Sequence, residues 1–161
     1  MERILFLCTG NYYRSRFAEV LFNHLACESG VKAHAGSRGL RVRPDGVTNV
    51  GPISRHALEG LAARGLAPRR EEYPRQVTEE DLQEADVIVA LKEAEHRALM
   101  EAQFPAQAAR VRYWHVHDLD AALPAEALAE LEALVRALVG EFTGPSRGRA
   151  HRPCGGRNPR R

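Results

Sequence analysis

The sequence predicts an α/β protein: a small doubly wound, four-stranded parallel sheet with helices on both faces. Two observations lead there. Short apolar runs of strand length alternate with longer segments whose apolar residues recur at helical spacing. Strands alternating with helices imply a parallel sheet covered on both sides, and right-handed crossovers restrict it to a doubly wound topology. A third observation places the chemistry. The run LFLCTGNYYRSRFAEVLF passes from an apolar segment through a cysteine and a short polar loop into an amphipathic helix. Open α/β sheets hold their ligands at such strand ends.

The elements follow in order. Residues 3–8 are apolar almost throughout and read as a first strand buried on both faces. Residues 14–29 read as a helix with Ala18, Leu21, Phe22 and Leu25 as its apolar stripe and Gly30 as its stop. Residues 31–36 read as a second strand, and the Gly- and Pro-containing stretch from Ser37 to Gly51 as a loop. Residues 53–64 read as a helix with Ile53, Leu58 and Leu61 inward, ended by Gly65. Thr78, followed by Glu80 and Asp81, marks another helix start. Residues 86–91 form a third buried strand, Glu93 to Ala102 a helix, Val111 to Val116 a last strand, and residues 123–142 a long Leu- and Ala-rich helix.

The length of 161 residues suits one domain with a hydrophobic core. No apolar run approaches a membrane span and the N-terminus lacks a signal pattern, so cytoplasmic residence is expected. Three widely spaced cysteines do not suggest a disulfide framework. The net charge of +2 hides an asymmetry. Residues 144–161 hold six arginines and no acids, which leaves 17 basic residues against 21 acids, about −4, for the rest. We therefore expect a domain over residues 1–143 and a flexible basic tail over 144–161. Polyanion binding by that tail, nucleic acid included, competes with a plain solvated extension.

Cys8 and Arg14 bracket the loop after the first strand. Gly10 and Asn11 both tolerate the positive φ that a tight anion-binding turn needs. Successive backbone N–H groups then converge on an anion, and the following helix adds the positive end of its dipole. Those amides, the dipole, Arg14 and the Ser15 hydroxyl all favour the thiolate of Cys8, the form that attacks phosphorus. Arg14 presents a planar fork to two phosphoryl oxygens. A space of this kind both holds a phosphate and attacks it. The bland alternative is a buried structural thiol at a strand end.

With these residues assembled, the chain resembles the low-molecular-weight protein tyrosine phosphatase family over nearly all of residues 1–143. The resemblance rests on LCTGNYYRS, on the helix RFAEVLFNHLA, on AGSRG at 35–39 and on the segment ending in RGL at 64–66. It continues through ADVIVALKEAEHRAL at 85–99 and a late aspartate in YWHVHDLD. It implies Cys8 as nucleophile, Arg14 as phosphate clamp and Asp118 as general acid, with Asp120 as runner-up. Thr9, Gly10, Asn11, Tyr12, Tyr13, Arg14 and Ser15 would bind the phosphate. Asn11 would hold the loop's shape and Ser15 would donate to the thiolate. Phosphotyrosine proteins would be the substrates, with inorganic phosphate as product and inhibitor and no cofactor or metal.

The chain also departs from the family pattern. Tyr13 stands where a second loop cysteine is usual, and Tyr12 where a medium apolar residue is. Arg16 replaces a proline, and Asp118 is followed by Leu119 rather than Pro. Tyr12 and Tyr13 either line the mouth and stack on an aryl phosphate or pack beneath neighbouring loops. Phosphoarginine is the alternative substrate, although relatives of that kind carry a small residue where Tyr12 stands. Arsenate reduction needs relay cysteines, and none lies between residues 28 and 153. A phosphate-binding module without catalysis is the non-enzyme alternative. His115 and His117 share a strand face and raise a metal reading, but their neighbours lack a ligand spacing.

Overall fold

The computed structural model describes residues 1–43, 49–117 and 123–144. Four parallel strands form one sheet in the order β2-β1-β3-β4: β1 (Glu2–Cys8), β2 (Ala33–Gly39), β3 (Val87–Ala90) and β4 (Val111–Tyr113). Among the described residues six helices connect them: α1 (Arg14–Glu28), α2 (Arg55–Ala62), α3 (Glu79–Glu84), α4 (Glu93–Gln103), the single turn α5 (Pro105–Ala108) and α6 (Pro124–Phe142).

Side chains alternate across a strand, so β1 feeds two cores. Ile4, Phe6 and Cys8 point to the face covered by α1, α2 and α6, where Phe17, Phe22, Leu61 and Leu131 are fully buried. Leu5 and Leu7 point to the opposite face, against Leu82 of α3 and Met100 of α4. Burial of each large apolar side chain stabilises the fold by about 2–3 kcal/mol, which holds both layers to the sheet. Phe6 also meets Phe22 edge-on at 6.0 Å and Trp114 at 5.9 Å.

Local chemistry sets the element ends. Gly30, at φ 67°, terminates α1 in the left-handed conformation that glycine adopts without cost. Thr78 and Asp81 form a reciprocal capping box at the start of α3. Ser54 caps α2 by accepting from the His56 N–H at 3.2 Å.

The structure corrects four details. β2 runs on through Ser37 to Gly39, because each residue from Ala33 onward pairs in register with β1 up to Cys8 opposite Gly39. Pairing with a buried central strand overrides the turn preference of Gly36, Ser37 and Gly39. The helix expected over 53–64 is shorter, and Leu58 lies outward, 40% exposed, while Ile53 and Leu61 are buried. β4 ends at Tyr113 rather than Val116, after which His115 makes only an isolated bridge to Lys92. The turn α5 carried no sequence signal beyond Pro105.

The switch in strand order falls beside β1, whose neighbours β2 and β3 connect in opposite directions. The C-terminal end of β1 is therefore where the topology opens a crevice. Cys8 occupies that end.

Candidate active site

Cys8 is a free thiol, 3% exposed, at the last position of β1. Residues 9–13 then turn back to start α1 at Arg14. The loop is held from outside. Its carbonyls at Cys8, Thr9 and Tyr12 accept from the N–H groups of Leu40, Arg41 and Ser54, each at 2.9 Å. In a trans peptide the next N–H points opposite to the carbonyl. The amides of Thr9, Gly10 and Tyr13 are thus directed to the inner side of the turn. No side chain caps α1 and no acid sits in its first turn, so its own residues leave the positive end of its dipole to an anion.

Asn11 is the keystone of the turn. It alone among the described non-glycine residues has a positive φ, 50°, and its side chain is buried. Its Oδ1 accepts from the Arg75 backbone N–H at 3.0 Å, which fixes the amide orientation. Its Nδ2 then donates to Ser15 Oγ at 3.0 Å and Ser37 Oγ at 2.9 Å. Ser15 Oγ, already accepting from Asn11, lies 2.9 Å from Cys8 Sγ with its own proton to give. Ser37 in turn donates to Glu19 Oε2. Burial raises the Glu19 carboxyl, an effect that the Ser37 bond and the charge of Arg16 partly offset. Gly10, expected to share the positive φ, does not adopt it.

Gly39 lets β2 press against this loop. A Cβ there would lie 2.4 Å from Val42 Cγ2, 2.9 Å from the Thr9 carbonyl and 3.1 Å from the Asn11 nitrogen. Only a residue without a side chain fits.

Arg14 is 2% exposed. Its Nη1 donates to the Val116 carbonyl at 3.0 Å and its Nη2 to Glu95 Oε2 at 3.1 Å. These contacts fix the guanidinium plane between α4 and the segment after β4. Asp118 and Asp120 lie outside the described residues. The chain leading to them is brought to Arg14 as far as Val116.

The sequence reading missed Glu95 and His96. His96 is fully buried, and its Nδ1 accepts from the Lys92 N–H at 2.9 Å. Its Nε2 therefore carries the proton and donates to Thr9 Oγ1 at 3.1 Å. Thr9 Oγ1 donates a hydrogen bond to Glu95 Oε2 at 3.3 Å. Burial, reinforced by Arg14 and Lys92, pushes His96 down to about 4. Partial burial works against ionisation of Glu95, but the charge and hydrogen bond of Arg14 and the Lys92 contact outweigh it and hold the carboxyl below its ordinary value. A Glu and a His on the first turn of a helix after a buried strand were the available signal.

Tyr12 is half-buried, and its hydroxyl donates to the Val50 carbonyl at 2.6 Å. Tyr13 is buried in the core on the α1 side, its ring edge-on to His56 at 6.4 Å. Of the two tyrosines, therefore, Tyr13 packs beneath the loop, and only its backbone is left to serve an anion. His115 is exposed, with Nε2 3.5 Å from Glu93 Oε2. The described residues contain no group of three His, Cys, Asp or Glu arranged to hold a metal ion. No described helix is long and apolar enough to cross a membrane.

Residues 3–132 match the model of the family "Low molecular weight phosphotyrosine protein phosphatase". The chain belongs to this family. A Bacillus subtilis protein-arginine-phosphatase is 33% identical over 101 residues, 63% of this chain and 62% of that protein. The match thus spans about three-fifths of the length of that curated relative. Among solved structures, a mutant of YwlE from Bacillus subtilis superposes with a TM-score of 0.74 at 27% identity, over 89% of this chain and 100% of that one. A low molecular weight protein tyrosine phosphatase from T. tengcongensis gives 0.74 at 26% identity, over 88% and 99%. The four-stranded parallel sheet with flanking helices is the fold these family members share.

Proposed function

We propose that this protein is a cysteine-dependent, metal-independent phosphatase that removes phosphate from phosphotyrosine in proteins. The observation that carries the reading is the Cys8 Sγ to Ser15 Oγ contact of 2.9 Å beside a loop whose Cys8, Thr9 and Tyr12 carbonyls are bonded outward. A buried sulfur facing a hydroxyl donor and inward-directed amides is placed to act as a nucleophile on a bound phosphate.

In this mechanism Cys8 Sγ attacks phosphorus in line. The P–S bond forms as the P–O bond to the leaving group breaks. Asp118 gives its proton to the leaving oxygen, with Asp120 as the runner-up for that role. The Arg14 fork and the loop amides of Thr9 to Ser15 take the charge of the equatorial oxygens. Water, deprotonated by the same carboxylate, then breaks the P–S bond. Inorganic phosphate leaves and competes with substrate. Residues 1–143 act as the catalytic domain in the cytoplasm, where the Cys8 thiol stays reduced.

Tyr12 supports an aryl substrate, because its ring is anchored through Val50 and remains partly exposed beside the loop. A second reading, phosphoarginine, is favoured by Glu95. An ionised carboxylate 3.1 Å from the phosphate clamp attracts a cationic guanidinium leaving group and gives nothing to a neutral phenol. The name of the 33% identical relative agrees with this reading.

A panel of matched phosphotyrosine, phosphoserine and phosphoarginine peptides with EDTA present tests both. Wild-type turnover of phosphotyrosine, abolished in Cys8→Ser, is the expected result. Preference for phosphoarginine transfers the assignment to the second reading, and full activity of Cys8→Ser refutes both.

A further inference from the structure

A guanidinium clamps a phosphate only when its plane is set, because the fork must meet two oxygens at once. Two contacts set the plane of Arg14. Nη1 donates to the Val116 carbonyl, a backbone group. Nη2 donates to Glu95 Oε2, the tip of a long side chain that is 32% exposed. Such a side chain keeps rotamer freedom unless polar contacts remove it. What orients Glu95 therefore orients the clamp.

Two hydrogen-bonding neighbours hold the carboxylate. Lys92 Nζ lies 3.2 Å from Oε1. Thr9 Oγ1 donates at 3.3 Å to Oε2, the oxygen that Arg14 also meets. The direction of the Thr9 bond is imposed from behind. His96 Nδ1 is occupied by the Lys92 N–H, so Nε2 carries the ring proton and donates to Thr9 Oγ1 at 3.1 Å. The hydroxyl proton of Thr9 is then left for Glu95. His96 Nε2 itself stands 3.6 Å from Glu95 Oε2, beyond hydrogen-bond length. The path from the fixed imidazole to the carboxylate thus runs through Thr9, a residue of the phosphate loop.

We propose that Thr9 and Glu95 are positioning residues for the phosphate clamp. The Thr9 hydroxyl, its proton direction set by His96, holds Glu95 where it aims the Arg14 guanidinium. The inference rests on the phosphate-binding reading of the Cys8 loop. It makes a prediction opposite in sign to that of charge alone. A carboxylate near an anion site repels the anion, so by Coulomb's law its removal strengthens phosphate binding. As the support of the clamp, its removal weakens phosphate binding.

The test is a calorimetric titration of inorganic phosphate into the full-length protein with EDTA present. This probe has no leaving group, so any attraction of Glu95 for a cationic one does not enter. Glu95→Ala is expected to bind phosphate about tenfold more weakly than wild type despite losing a repelling charge. Glu95→Gln lacks the charge but keeps an acceptor for Thr9 and Arg14, and it is expected to bind at least as tightly as wild type. Thr9→Val alters no charge and is expected to weaken binding by about threefold. Equal or tighter binding in Glu95→Ala, equal weakening in Glu95→Ala and Glu95→Gln, or unchanged affinity in Thr9→Val would overturn the proposal while leaving the phosphate loop intact. A wild type that binds no phosphate would remove the phosphate-loop reading and this inference with it. If Glu95→Ala or Thr9→Val does not fold, the other decides alone.

Discussion

His96 and Glu95 sit side by side and are pushed in the same direction by different causes. Both are held below their ordinary values, His96 chiefly by burial and Glu95 by the attraction of Arg14 and Lys92 that overcomes its own partial burial. For His96 the consequence is a stability term with a definite sign. The folded protein resists the proton down to about pH 4, whereas the unfolded chain takes it up near pH 6.5. Between those values the unfolded state binds more protons, so stability is present above the upper value and is lost as pH falls. The loss from this one residue is about 2 kcal/mol between about pH 7 and pH 5. Protonation would also remove the Nδ1 acceptor from the Lys92 N–H and so open the start of α4. Urea unfolding at the two pH values should show that fall in wild type and lack most of it in His96→Gln. Equal falls in both proteins would assign the acid sensitivity elsewhere. This residue was invisible in the sequence because a histidine four residues into a helix has no pattern of its own. Only the fold brings it to Thr9.

At the scale of elements, the meeting of β2 with the phosphate loop decides the geometry. Gly39 is the contact point, and the added methyl of Gly39→Ala would strike Val42 and the Thr9 carbonyl. A cost of about 1–3 kcal/mol is expected, because the loop backbone has no slack to yield. Turnover should fall by at least tenfold, because the displaced atoms are those of the loop itself. Gly36→Ala, three residues earlier on the same strand with nothing within 4 Å of its new Cβ, should be near neutral in both respects. Parallel losses in the two variants would mean that the strand rather than the loop contact is sensitive. β1, α1, β3 and α6 were legible because an apolar run or a helical stripe announces them. β2 was legible only in its first half, since Ser37 to Gly39 look like loop residues and become strand by pairing with β1. Leu58 was misread as inward because one apolar residue on a two-turn helix cannot define a face. Cys8, Asn11, Ser15 and Arg14 were legible as a set because their spacing spans one turn at a strand end. The links from Asn11 to Ser37, from Arg14 to Glu95 and from Thr9 to His96 join residues 26 to 87 positions apart, which no local window contains.

At the scale of the whole molecule, the parallel sheet places the ends of β1 and β3 beside each other and opens the crevice there. The outer hydrogen bonds from Leu40, Arg41 and Ser54 turn the loop inside out, carbonyls away and amides inward. Fold and site are in this sense one device, since the segments that complete the sheet and α2 are the ones that shape the loop. The two cores on either side of β1 hold that strand end in place while the loop and α1 supply the charge. The buried thiol at this strand end is Cys8, with Ser15 Oγ 2.9 Å from its sulfur.

The most direct measurement is therefore the covalent state of the enzyme during turnover. Protein turning over an aryl phosphate is quenched in acid within milliseconds, digested and mapped by mass spectrometry. The account predicts a phosphoryl adduct on the peptide containing Cys8, lost in Cys8→Ser together with turnover. Steady turnover with no adduct on Cys8, or with activity retained in Cys8→Ser, would contradict it.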